Sequence, residues 1–424
     1  MKVAIIGGGI SGNTVAYQLC DEHDITLYEA GDHLGGHTHT HDISWHNDNY
    51  AIDTGFIVFN DRTYPNFLEL LYEIGVEKQP TEMSFAVMNA NTGLEYNGHS
   101  LDTLFAQRSN IVNPSFHRMI WDIIRFNRQS RLLLQSDQAD ISLGEYLYSN
   151  GFHREFIENY IVPMGAAIWS TDPADMYDFP AKFFIRFFEN HGLLNIKNRP
   201  QWYVIKGGSN QYVKAMSKRY ADRVKLNTAV DSIERTPSGV LLKAKGQPEC
   251  FYDAVFFACH SDQALKILGN EASDTERQTL SAIRYQENEA VLHTDTRLLP
   301  RKRKAWASWN YHVAASGKQG AAVTYHMNTL QNLDAKEQFC VTLNASELID
   351  KNKTIKKMTY HHPMFTLDAL QAQQNFEAIN SGSTFFCGAY WRNGFHEDGV
   401  VSALGAVKSF KRQAVEKLHF QRAS

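Results

Sequence analysis

The sequence predicts an α/β protein of two domains: an open parallel sheet built around a nucleotide-type glycine turn, and a second domain inserted between its pieces. Three observations predict it. An apolar strand runs straight into a Gly-x-Gly-x-x-Gly turn that opens a helix. A second strand ending in an acid follows at the expected distance. The chain has 424 residues, more than the ~250–300 at which a single hydrophobic core stops growing.

Lys2-Val-Ala-Ile-Ile6 is short, apolar and rich in β-branched residues, which suits a strand buried on both faces. Gly7-Gly-Gly-Ile-Ser-Gly12 follows at once, and Thr14, Val15, Ala16 and Leu19 continue at helical spacing. Gly7 allows the tight exit from the strand, Gly9 the close approach of a pyrophosphate, and Gly12 the packing of helix on sheet. Free N–H groups near Ile10 and Ser11 favour an anion. Ile25-Thr-Leu-Tyr28 is the second strand. Glu29 closes it 22 residues after Gly7, where a carboxylate accepts hydrogen bonds from a ribose diol. Together these pieces specify a dinucleotide site.

The next stretch, Glu29-Ala-Gly-Asp-His-Leu-Gly-Gly-His-Thr38, resembles a second signature of two-domain FAD enzymes, roughly E-A-x(4)-G-G-R-x-x-T. The resemblance implies FAD rather than NAD, with Ala30 and Thr38 beside the cofactor and Gly35 and Gly36 against its phosphates. One position departs from the pattern: His37 stands where the family has Arg, so a permanent cation is replaced by a group titrating near ~6.5. His33, His37, His39, His41 and His46 are crowded here, and 37, 39 and 41 would share one face of an extended segment. No carboxylate or thiolate set completes a coordination sphere around them, so no metal is assigned.

On these motifs the chain resembles the flavin-containing amine oxidase superfamily, which includes amine oxidases, protoporphyrinogen oxidase and phytoene-desaturase-type enzymes. That resemblance implies a Rossmann-like FAD domain, amine-oxidase-like, made of residues 1–75, 205–275 and 375–424, with a substrate domain from 76–204 and 276–374. Ala51-Ile-Asp-Thr-Gly-Phe-Ile-Val-Phe59 is similar to the stretch beside the isoalloxazine, which implies cofactor contacts from Thr54, Gly55 and Phe56. Tyr64 to Gly75 is similar to the helix after it. Ile205-Lys-Gly-Gly208 is expected to open a helix. Val224 to Ile233 is similar to a strand pair whose main chain, at Val230, meets the adenine; a plain hairpin about Thr236-Pro-Ser-Gly239 is the alternative. Cys250 to Ala258 reads as one closing strand. Thr384-Phe-Phe-Cys-Gly388 leads to a helix expected from Val400, with Gly388, Asp398, Gly399 and Val400 near the flavin and a positive helix end to steady its reduced form.

The phrases DTGFIVFN, IVPMGAAIWST and GFHEDG also resemble a narrower bacterial group of FAD-binding oxidoreductases that accompany cyclopropane-fatty-acid-synthase-type enzymes. This implies a lipid or fatty acyl substrate.

Composition is that of an ordinary globular chain: 43% hydrophobic, 21% charged, net charge -4. It gives no case for a nucleic-acid partner. The five cysteines are scattered, without a C-x-x-C pair, so neither a disulfide framework nor a zinc site is expected. The first strand begins at Lys2, leaving no room for a signal peptide, and no apolar run of ~18 residues exists. A cytoplasmic protein is expected, with peripheral contact on the inner membrane face left open. Two middle stretches stand out. Phe116 to Arg131 has an apolar stripe and a basic face with Arg118, Arg125 and Arg128. Ala181 to Phe188 is densely aromatic. Each suits a membrane surface, an acyl tunnel or, more simply, a core-facing helix. Arg301-Lys-Arg-Lys304 suits either anionic head groups or a solvated loop.

For chemistry, the resemblance points to hydride transfer to flavin N5 from a lipophilic substrate, with noncovalent FAD, since Cys387 lies inside a strand. Trp391 and His396 are the candidates for flavin-facing roles, His396 as a proton carrier. Lys304 is the candidate for the lysine that amine oxidases place beside N5. A second nucleotide turn is missing, so oxygen, a quinone or a carrier protein is expected as electron acceptor. The alternatives are an amine oxidase releasing hydrogen peroxide, a redox-neutral isomerase of lipid double bonds, and a noncatalytic FAD-binding partner.

Overall fold

The structure is a computed structural model that describes residues 1–137, 140–313 and 322–423, with side chains described to residue 415. Five parallel strands form its first sheet, in the order Val224–Lys225, Asp24–Tyr28, Lys2–Ile6, Ala254–Phe257, Thr384–Phe386. The central strand is fully enclosed from Val3 to Ile6, so a continuous apolar run was needed there rather than an alternating one. Helix Ile10–Leu19 covers one face, and the long helix His396–Ala423 packs along it.

Three antiparallel strands, Val230–Arg235, Val240–Ala244 and Cys250–Tyr252, form a separate small sheet. The single strand expected from Cys250 to Ala258 is thus two. The break falls at Asp253, whose Oδ2 accepts from the Lys2 N–H at 2.6 Å, and the chain then crosses into the parallel sheet.

The second half of the molecule is organised on a seven-stranded sheet. Its order is Thr354–Pro363, Tyr285–His293, Cys340–Leu343, Ala322–His326, Trp309–Val313, Phe85–Asn89, Leu94–Asn97. Helices Pro114–Leu134, Leu143–Ser149, Val162–Trp169 and Ala181–Asn190 belong to the same half, and the largest apolar core is shared between them and the sheet. The aromatic helix Ala181–Asn190 faces inward: Phe184, Ile185, Phe187 and Phe188 are buried and belong to that core. Of the readings open for it, the core-facing one describes its packing. Among the described residues no helix is long and apolar enough to cross a membrane.

Candidate active site

The glycine turn lies at the carboxyl end of the central strand, the edge where open α/β sheets bind ligands. Gly7 has φ +105° and its N–H donates to Tyr28 O at 2.8 Å. A Cβ on Gly12 would stand 1.9 Å from Gly7 O, so the turn itself excludes a side chain there. Gly9 differs. Its φ is an ordinary -72°, and a Cβ built on it meets nothing within 4 Å. The protein leaves this space open, as a close-lying phosphate requires. Helix Ile10–Leu19 begins here without a side-chain cap and without an acid in its first turn, so its N-terminal N–H groups near Ile10 and Ser11 suit an anion.

Gly35 (φ +126°) and Gly36 (φ +59°) close over this turn. Gly35 N–H donates to Gly8 O at 2.7 Å, and a Cβ on Gly36 would come within 3.2 Å of Gly9 Cα. Glu29 accepts from Gly8 N–H and Gly31 N–H, each at 2.7 Å. Its two oxygens keep further lone pairs on the side where a ribose would lie. Ala30 is exposed next to it. Thr228 N–H donates to Glu29 O and Asn227 N–H to Gly31 O, which brings the segment before Val230 alongside the acid. The residues present therefore fit an adenine dinucleotide, with its diphosphate over Gly9 and Gly36.

Beyond the diphosphate end lies a group of imidazoles and phenols. The His37 ring sits 5.2 Å from those of Tyr360 and His362 and 6.2 Å from that of His260. Its Nε2 is closed to water and has no hydrogen-bond partner. Burial, then the neighbouring His260, pushes its pKa down to about 4. His362 is pushed to about 3, by burial and then by His37, and its Nδ1 lies 2.9 Å from Asn288 Nδ2. Stacked on Tyr285, His260 is likewise held at about 4 by burial. His37 thus supplies a neutral ring directed at the second domain, in place of the cation expected at that position. His33 stacks on His39 at 4.3 Å, and the His41 ring lies tilted at 4.0 Å from His39, beside Lys356.

On the other side of the turn, Thr38 and His396 form a buried polar knot with Tyr212. His396 Nε2 is 2.9 Å from Thr38 Oγ1 and 3.0 Å from the Tyr212 hydroxyl. Phe56 lies against the same imidazole, and its N–H donates to His37 O at 2.7 Å. A Cβ on Gly55 would stand 2.2 Å from His37 O. Thr54 Oγ1 meets the Tyr360 hydroxyl at 2.8 Å.

Several expectations need correction. His396 is buried, which pushes its pKa well below the usual value, and its Nε2 is taken up by Thr38 Oγ1 and the Tyr212 hydroxyl. Trp391 points into the apolar core against Phe376 and Tyr390. Lys304 pairs with Asp102 at the surface. Its turn packs by strand Leu94–Asn97, the far edge of the seven-stranded sheet, six strand spacings or about 29 Å from the strand that carries His362. The last helix starts at His396, not Val400. The Gly399 N–H is already bonded to Phe395 O. Asp398 caps this helix, accepting from Phe395 N–H at 3.0 Å and Asn393 N–H at 3.2 Å. Gly399 instead lets the helix approach the glycine turn: its carbonyl accepts from Ser11 Oγ at 3.0 Å, and a Cβ would stand 2.7 Å from Ile10 Cγ2. Val400 is buried beside Ile10 and Phe56. Gly388 N–H donates to Ser402 Oγ at 2.9 Å, which ties the end of the fifth strand to the same helix.

Comparison with known proteins decides the family. The model for "Flavin containing amine oxidoreductase" matches residues 10–308. The chain belongs to this family. FAD is therefore the cofactor, and the family is one of oxidoreductases. Among curated proteins, "Putative flavin-containing monoamine oxidase AofH" of Mycobacterium tuberculosis is 25% identical over 267 residues, covering 59% of this chain and 55% of the relative. The chain thus spans about half the length of the curated relatives it matches. The cyclohexylamine oxidase of Brevibacterium oxydans has the same fold, with 16% identity, a TM-score of 0.70, and coverage of 97% of this chain and 99% of the other. So does the "CLA-producing fatty acid isomerase from P. acnes", with 16% identity, a TM-score of 0.68, and coverage of 96% and 98%.

Sequence reasoning missed His260, Tyr285, Asn288, Tyr360 and His362. Two weak signals existed: the Cys259-His260 pair just past a buried strand, and the His361-His362 doublet. Both needed the second sheet to be placed before they meant anything.

Proposed function

We propose that the chain is an FAD-dependent dehydrogenase or desaturase of a lipophilic, acyl-type substrate, with its flavin bound noncovalently. The observation that carries this reading is the state of the carboxylates at the site. Asp53 accepts from Ser209 N–H, Ser209 Oγ and Thr40 Oγ1. Glu397 accepts from Asn66 and Phe67 N–H, and Asp398 caps its own helix. Each is engaged by the protein, so none of these three is free to receive a substrate ammonium. The surroundings are instead aromatic. Trp169 donates to Asn393 O, and Phe187 stacks at 5.0 Å on Phe395, in the loop that leads to Asp398. A cavity of about 530 Å³ opens there, lined by Tyr64, Pro65, His191 and Phe395, with Arg62 and Arg392 and the carboxylates Glu189, Glu397 and Asp398 also in its walls. Glu189, Glu397 and Asp398 are each held by protein donors, which leaves the Arg62 and Arg392 guanidinium groups for a substrate carboxylate and the Tyr64 and Phe395 rings for its chain. The fold is shared alike with a fatty acid isomerase and with amine oxidases, so it accommodates an acyl substrate without selecting one.

When bound, the flavin supplies a hydride acceptor at N5. The substrate loses one hydride and, from the adjacent carbon, one proton, so a C=C bond forms. The acceptor proposed for that proton is His37, a neutral imidazole whose Nε2 is buried without a hydrogen-bond partner; it is not among the residues that line the cavity, so the proton would have to reach it along the flavin side of the turn. Oxygen, a quinone or a carrier protein would serve as the electron acceptor. Noncovalent binding is supported by the cysteines: Cys387 is buried, and burial holds the Cys259 thiol at about 12, so it carries no thiolate for attachment.

Amine oxidation is the second reading, supported by the monoamine oxidase relative. The test is anaerobic mixing of the flavin-loaded protein with fatty acids, phospholipids and amines while the flavin band near ~450 nm is followed. Bleaching by an acyl substrate is expected. Bleaching by amines alone overturns the proposal, and double-bond migration without net bleaching identifies an isomerase instead.

A further inference from the structure

We infer that the outer face of helix Pro114–Leu134, with the turn before it and the Arg301–Lys304 loop, is a docking surface for an anionic phospholipid membrane. The inference does not depend on which substrate the flavin oxidises.

Exposed apolar side chains are concentrated here. Among the described residues thirteen large hydrophobics are exposed, and five of them lie within residues 101–132. Leu101 is 77% exposed, Val112 81%, Trp121 62% and Leu132 66%, with Ile111 beside them. They are not scattered. On the helix the exposed positions Arg118, Trp121, Arg128 and Leu132 fall at spacings of three, seven and four, which is one stripe. The opposite stripe, with Phe116, Met119, Phe126 and Leu133, is in the core. A helix of 21 residues is about 31 Å long, so the stripe is a wide platform.

The preceding turn is fixed to the helix: His117 Nε2 lies 2.7 Å from Ile111 O, and the Phe105 ring meets those of His117 and Phe116. Asp102 ties in the basic loop, since it pairs with both Arg108 and Lys304. The four residues from Arg301 to Lys304 are all exposed.

Charge decides the occupant. The chain as a whole carries net charge -4, yet this face presents Arg108, Arg118, Arg128 and the Arg301–Lys304 run. Asp102 is paired twice, and Asp122 is buried against Arg118, Arg125 and the His153 N–H. Arginines beside an exposed Trp and aliphatic side chains form the pattern that seats at a headgroup boundary, with apolar groups in the acyl layer and cations at the phosphates. Phospholipid phosphate is the ligand chemistry, and the bilayer is its source.

The test uses the full flavin-loaded protein and sedimentation with vesicles of phosphatidylcholine alone or mixed with phosphatidylglycerol. Binding to the mixed vesicles only, weakened by salt, is expected. R118Q/R128Q should bind about 25-fold more weakly, at about fivefold per basic residue removed. V112E/W121E should lose binding while the flavin spectrum stays unchanged. All four positions are solvent-exposed, so both variants should fold. Equal binding to neutral vesicles, no binding, or variants that bind like the parent overturns the inference. So does a dimer in light scattering that V112E/W121E disperses without any vesicle binding, since the face would then serve a second copy of the chain. Because flavin bleaching is read separately, failure here leaves the proposed chemistry untouched, and the reverse also holds.

Discussion

His396 lies flat on Phe56, with ring centroids 3.5 Å apart and planes 11° from parallel. The pair joins the start of the last helix to the strand exit at Thr54-Gly55, while His396 Nε2 links Thr38 and Tyr212. Removing the imidazole leaves two buried hydroxyls short of a partner and a void against Phe56. H396A is therefore expected to lose about 2–4 kcal/mol of stability. H396Q, which restores a polar atom, should lose less. Denaturant unfolding measures both. Because the buried ring is neutral near pH 7, the pH profile of turnover in H396Q should match the parent. A displaced profile with unchanged stability would return His396 to the chemistry.

Gly9 offers a clean test of the cofactor cradle. Its backbone is in a conformation any residue adopts, and a Cβ there meets no protein atom. G9A should fold as well as the parent and gain up to about 1 kcal/mol from a less flexible unfolded chain. It should still lose FAD by at least about tenfold in affinity, because the methyl group fills the space left for phosphate. Apoprotein melting and flavin content read the two effects apart. G12A is the contrast: its methyl would collide with Gly7 O, so destabilisation should appear even without flavin. Full flavin retention by G9A would contradict the assigned diphosphate position.

These contrasts show what the sequence could reveal. The glycine turn, Glu29 and the flanking strands were legible because each is a local pattern whose spacing is set by backbone geometry. The partners of His396 were not, since Thr38 and Tyr212 lie 358 and 184 residues away. The position of Asp398 along the chain suits a cofactor contact, which chain position alone cannot weigh against a capping role. Its carboxylate in fact satisfies the N–H groups of Asn393 and Phe395, and that starts the helix four residues early. Lys304 matches by chain position too, and the strand order of the large sheet carries it to the opposite edge. The basic face of the Pro114–Leu134 helix was legible as periodicity. Its exposed Trp121 and Leu132 stand on the side away from the core, which periodicity alone does not label as free.

Acid should destabilise the protein through buried neutral histidines, and His293 is the best-defined case. It is fully buried; Asp295 N–H donates to its Nδ1 at 3.0 Å, and its Nε2 lies 2.7 Å from Thr342 Oγ1. Protonating Nδ1 would break the bond from Asp295. Burial accordingly lowers its pKa to about 4. The folded value is depressed below the unfolded one of about 6.5, so below that pH the unfolded chain binds the extra proton. Stability is then complete above about pH 6.5 and falls as pH drops towards 4, by up to about 1.4 kcal/mol per unit for one such histidine. Urea unfolding between about pH 7.5 and 5 should show this slope, and H293Q should reduce it by about one proton. An unchanged slope in H293Q would remove His293 from the account.

His37 carries the most specific chemical prediction. Its ring is directed at Tyr360, His362 and His260, and its Nε2 has neither water nor a protein partner. It stands directly after the Gly35-Gly36 turn. H37N keeps a small polar side chain and leaves both glycines in place, so FAD content should be unchanged. Substrate-dependent flavin reduction should fall about 100-fold, the lower end for loss of a positioned base. The sign of the pH effect follows from the lowered pKa of about 4. The ring must be neutral to accept a proton, so the parent's acid limb should lie well below the 6.5 of a free imidazole. In H37N that limb should disappear. Single-turnover reduction across pH, alongside flavin content, separates this from a cofactor-binding role. If H37N loses FAD but reduces what remains at the parent rate, His37 serves the phosphates after all and another group takes the proton.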